Sequence, residues 1–139
     1  MIRRQAREAV LKALFAYDIG KMRPLRALEY VLSESPLPEA GEAFARELLT
    51  GVVREQANLD PIIDRYAVGW RIERMAAIDR NILRIALYEI LHRPDIPSSV
   101  AVNEAVELAK RFGDTDSPKF INGILGQVVR SMSEPVKSG

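Results

Sequence analysis

Residues 77–93, AIDRNILRIALYEILHR, decide the fold. The segment is polar at its start and apolar nearly all round from Ile82 to Leu91, a pattern that suits a helix covered by neighbours on several sides. It reads as the central helix of a helical protein. Beyond the two-proline turn RPDIPSS (93–99), Val102, Ala105, Val106, Ala109 and Phe112 recur at helical spacing and stop at Gly113, a favoured residue just past a helix end. DSPKFINGILGQVVRSM (116–132) then starts again, with Asp116 or Ser117 as N-cap and Pro118 in the first turn. Its stripe is Ile121, Ile124, Leu125, Val128, Val129 and Met132. On the N-terminal side, Ala6, Val10, Ala13, Leu14 and Tyr17 form one stripe, and Phe44, Leu48, Leu49, Val52 and Val53 another. Leu59, Ile62, Ile63 and Tyr66 form a short third, and RPLRALEYVLSE (23–34) is a weaker helix. No segment alternates as a half-buried strand does. The expected fold is all-α, with about seven helices. It forms a single domain over 1–133, with halves 1–68 and 69–133 meeting near AVGWRIERM (67–75) and a flexible tail at 134–139.

The chain has 139 residues, and its 20 Lys and Arg against 19 Asp and Glu leave a net charge of +1. No overall field draws it to nucleic acid, so any such site is a local patch. The absence of cysteine removes disulfides, thiolate nucleophiles and zinc–cysteine sites, and fits a reducing cytoplasm. One histidine cannot build a histidine metal site. There is no signal-peptide pattern and no 18-residue apolar run, so a cytoplasmic location without a membrane span is expected.

Arg3, Arg4 and Arg7 fall within one arc of the first helix, and Arg3 and Arg7 continue the line of Val10 and Leu14. A core stripe that turns into arginine is expected to leave the core and project toward solvent or a partner. Cations beside the positive end of a helix dipole are mildly unfavourable until an anion arrives, and phosphate is the natural one. The competing reading is a solvated terminus. A second candidate is the helix start around Asp116, Ser117, Lys119 and Phe120, where outward N–H groups meet basic charge and Phe120 sits at the stripe's edge, able either to stack on a base or to pack inward. The pairs Asp60 with Asp64 and Glu104 with Glu107 read as surface helix pairing rather than acid–base machinery. No phosphate-cradling glycine motif is present, and Gly123 and Gly126 are expected to permit close helix approach. His92 reads as a helix C-terminal cation and Trp70 as an anchor between the halves. Asp79, Arg80, Asn81 and Arg84 give the central helix a polar side that should meet water or another protein.

Taken together, RRQAREAVLKALF (3–15), ELLTGV (47–52), IDRNILRIALYEI (78–90), PSSVAVNEAVELAKRFG (97–113) and DSPKFINGIL (116–125) resemble the bacterial transcription antitermination NusB family, in order from about Arg3 to Val129. The resemblance implies two packed three-helix bundles, no catalysis and no cofactor. Such proteins pair with NusE, a small-subunit ribosomal protein, and the pair binds the single-stranded boxA element of nascent RNA. They work with RNA polymerase and other Nus factors, chiefly on ribosomal RNA operons. Carried onto this chain, the RNA-contacting positions are Arg3, Arg4, Arg7, Asp116, Ser117, Lys119 and Phe120. Gln5 stands where relatives are often basic. Phe15, Asp79 and Arg84 match positions near the NusE-binding side. An exposed Phe or Leu on a helix face serves NusE or a homodimer alike. The rival implied function is the RNA-binding N-terminal fragment of a ribosomal RNA cytosine methyltransferase, whose long catalytic domain and cysteine nucleophile this chain lacks; the polar ending after Met132 fits an entire protein instead. A non-catalytic helical scaffold is the third reading.

Overall fold

The computed structural model describes residues 2–133. Six α-helices run in the order α1 (Ile2–Gly20), α2 (Pro24–Glu34), α3 (Glu39–Tyr66), α4 (Ala77–His92), α5 (Ser98–Phe112) and α6 (Ser117–Ser133), with a short 3-10 turn at Ile72–Arg74. Helices α1, α2 and α3 pack on one another, as do α4, α5 and α6, and the two bundles meet where α1 and α3 lie against α4. The tail at 134–139 lies outside the described residues. None of the described helices is long and apolar enough to cross a membrane.

Helix α4 is the hub because both bundles need it. Every residue from Asn81 to Ile90 is buried, as its apolar circumference requires. The closest approach occurs at Gly51 of α3, where an added Cβ would collide with the Tyr88 ring of α4. Glycine is what lets these two helices touch. Gly123 and Gly126, expected to do this, do not: no other helix comes within contact of either.

Three further expectations change. The stripes at 44–53 and 59–66 belong to one helix, because Pro61 does not break α3. Proline removes the bond to the carbonyl four residues back, but Pro61 and Ala57 both face solvent, where water can meet that carbonyl, while Leu59 and Ile63 are held fully buried. Trp70 does not anchor the halves, since it is 58% exposed. The junction is closed instead by buried Ile72 and Met75 and by the Ile72 N–H, which donates to Asp64 Oδ1 at 2.8 Å.

The third change concerns the polar side of α4, of which Arg80, Asn81 and Arg84 face the first bundle rather than water. Arg84 is buried and donates to Asp60 at 2.8 and 2.9 Å and to Asp18 at 3.2 Å. Arg80 donates to Asp18 at 2.6 and 2.9 Å, and the Asn81 amide donates to the same carboxylate at 3.0 Å. Carboxylates from α1 and α3 thus meet guanidiniums from α4, and burial is tolerated because each charge has an opposite partner. Arg84 is therefore a clamp between bundles and not an open contact for another protein.

Candidate nucleic-acid interface

Helix α1 opens with Arg3 and Arg4 in solvent. Arg3 lies 3.9 Å from Asp95, with its guanidinium 4.7 Å from the centre of the Phe44 ring. Arg4 makes a two-pronged bond to Glu104 of α5, at 3.0 and 2.7 Å. That bond raises the Arg4 pKa and, with the Arg4 charge, outweighs desolvation to hold the Glu104 carboxyl low. Arg7 departs from the expected projection to solvent. It is only 4% exposed and donates to Glu89 of α4 at 2.7 and 2.9 Å. Arg7 shares the face of Val10 and Leu14, and that face remains in the core because α4 supplies a buried carboxylate opposite it.

From the α1 start the cationic surface continues along the end of α5. Arg111 reaches Glu8 at 3.2 Å, and the Lys12 ammonium lies 5.9 Å from the Phe112 ring centre. Lys110 is exposed and lies 3.4 Å from Glu107. The chain then turns at Gly113 into α6. The Asp116 carbonyl accepts the Phe120 N–H at 3.1 Å, which makes Asp116 rather than Ser117 the N-cap residue. Ser117 is buried, and its hydroxyl accepts the Asp114 N–H at 3.0 Å. Lys119 is exposed, so it is free to meet a phosphate.

Phe120 is half-buried and meets the exposed Trp70 edge to face, with ring centres 6.3 Å apart. The two rings border a cleft of about 220 Å³ whose other walls are Met75, Ala76, Asp79, Asp116 and Ser117. Burial pushes the Asp79 carboxyl above its usual value, and the nearby Asp114 charge adds to this while a hydrogen bond from Ser117 opposes it. Asp79 thus joins the Phe120 cluster, whereas Arg84, grouped with it from the sequence, is committed to Asp18 and Asp60. Phe15 is 40% exposed on α1, with Ile19 one turn on at 52%. This apolar pair is open on the surface.

Of this surface, Lys12 was not singled out from the sequence, and Trp70 was read there as an anchor between the halves instead. Lys12 gives no signal of its own among α1's charges. Trp70 does, since it stands between Gly69, at φ +83°, and Arg71 in a stretch without an apolar stripe, a poor setting for a core residue.

Two three-helix bundles meeting on α4, with a cation-lined edge running to an aromatic cleft, define an all-helical two-bundle class of protein. The NusB family model matches residues 4–130. The chain is 49% identical over 134 residues to the transcription antitermination protein NusB of Heliobacterium modesticaldum, covering 96% of this chain and 65% of that one. The T. maritima NusB structure superposes with a TM-score of 0.86 at 38% identity, covering 92% of this chain and 90% of that one. A complex of the antitermination factors NusB and NusE with double-stranded RNA has the same fold, with a TM-score of 0.86 at 24% identity over 94% of this chain and 97% of that one. The chain belongs to the NusB family.

Proposed function

We propose that this protein is a transcription antitermination factor that binds boxA RNA jointly with NusE and helps RNA polymerase, with other Nus factors, through ribosomal RNA operons in the cytoplasm. The observation that carries the reading is the family match over residues 4–130, which takes in both Arg4 and the aromatic-edged start of α6. The relatives named transcription antitermination protein NusB, aligned over 95–96% of this chain, favour an antitermination factor over a methyltransferase fragment. Arg3, Arg4 and Lys119 hold phosphates, Asp116 and Ser117 shape the turn, and Phe120 offers a face to an unstacked base. Arg4 must exchange Glu104 for phosphate, whereas Arg3 and Lys119 are available at once. Arg7 serves indirectly, by fixing α1 on α4 so that its neighbours point outward. NusE docks on the Phe15 and Ile19 face, and two surfaces then share one RNA. The protein acts by binding, not turnover.

Fluorescence anisotropy of labelled boxA RNA and a scrambled control, with and without NusE, tests this. The expected result is boxA-selective binding that tightens with NusE. Weak binding indifferent to sequence and to NusE overturns it.

A further inference from the structure

We infer that the Trp70–Phe120 cleft selects one nucleobase bearing an exocyclic amino group, with Asp79 as the acceptor that makes the selection. This rests on the RNA-binding reading above and assigns Asp79 to the RNA rather than to a protein partner.

The cleft has the right size. Apolar cavities of about 150 Å³ take up benzene, so about 220 Å³ admits a single heterocyclic base. Its rims are aromatic: the exposed Trp70 ring and the half-buried Phe120 ring offer π-faces to an unstacked base, and any of the four bases could stack there. Selection must therefore come from the polar wall.

That wall contains one acceptor with an unmet need. An ionised carboxylate only accepts hydrogen bonds. Asp79 receives one from Ser117, yet its Oδ1 is shut off from water and has no hydrogen-bond partner. The neighbouring cation on α4 does not meet that need, for the Arg80 guanidinium turns away to Asp18. The carboxylate torsion is broad and close to two-fold, so a small rotation presents either oxygen to the cleft. A base that brings an N–H2 group fills the missing bond: cytosine at N4, adenine at N6 or guanine at N2. Uracil has no amino group, and the two carbonyls flanking its N3–H repel a carboxylate. The cleft thus separates amino-bearing bases from uracil while stacking treats them alike.

The test uses the full chain with NusE and boxA RNA, together with RNAs in which each amino-bearing base is replaced singly by uracil. Wild type is expected to lose about tenfold in affinity at one position, the scale of one good base contact. Asp79→Asn is expected to cut that penalty to about twofold, because an amide offers both a donor and an acceptor. Asp79→Glu retains the preference in part, and circular dichroism melts establish that each variant is folded. Phe120→Ala weakens all the RNAs alike. If Asp79→Asn leaves every uracil penalty unchanged while wild type still binds boxA selectively, the selection by Asp79 is wrong and the RNA reading stands. The same holds if the variant loses NusE and keeps its RNA preferences, which places Asp79 at a protein contact. If wild type shows no boxA selectivity at all, both readings fall.

Discussion

One helical turn separates Arg3, a cation in water, from Arg7, a cation in the core. Both carry the same charge on the same face, and what divides them is Glu89, 82 residues away in sequence from Arg7. Arg7→Ala leaves that carboxylate buried without its partner and should lower stability by about 3–5 kcal/mol, read by urea denaturation. Arg3→Ala removes only an exposed contact at 3.9 Å, so stability should move by less than about 0.5 kcal/mol. Its effect belongs in RNA affinity, and anisotropy checks the reversal of the two arginines' roles. The arc of arginines was legible in the sequence, but which member faced inward was not, because spacing along one helix says nothing of the acid waiting on another. The start of α6 was more readable: Asp116, Pro118 and Gly113 are local signals, and local signals survive folding.

At the scale of elements, α3 and α4 show how packing overrides local preference. Pro61 argues for a helix break, yet α3 runs through it because the proline faces out and the core residues on either side are buried. The number of helices was nearly legible from periodicity, and the merger of two stripes into α3 accounts for the difference. The glycine that mattered was harder to see. Gly51 sits in ELLTGV with nothing nearby to mark a close approach, since its contact is the ring of Tyr88. Gly51→Ala gains helix propensity and forces that ring to move, and overpacking of this kind costs about 1–3 kcal/mol. A lower thermal midpoint with unchanged helix content is the expected outcome, and an unchanged or raised midpoint would mean that the α3–α4 seam can yield.

Across the whole molecule, two carboxylates should respond to acid with opposite signs. Partial burial by itself raises Asp18, but hydrogen bonds from Arg80 and Asn81 and the charges of Arg80 and Arg84 outweigh it and hold the group below its usual range. Its stabilising share is complete above the unfolded value of about 3.9 and is lost as pH falls through the lower folded value. Asp79 is raised by burial, so its ionisation costs stability at neutral pH, and the cost disappears as pH falls through the raised value. Melts from pH 7 to pH 3 should therefore show Asp18→Asn losing stability chiefly at neutral pH, and Asp79→Asn gaining it there, with both approaching wild type in acid. Salt reports on the other side of the molecule. If Arg3, Arg4 and Lys119 together neutralise about three phosphates, the logarithm of RNA affinity should fall against that of salt with a slope of about −2. A much steeper slope would bring Lys12, Lys110 and Arg111 into the contact. The clamp of Asp18, Asp60, Arg80 and Arg84 also bears on how the chain is made. Domains form from the N-terminus as synthesis proceeds, and both acids leave the ribosome before either arginine. The first bundle must wait with its anions hydrated, and the arrival of α4 is the moment at which a nascent half becomes a protein.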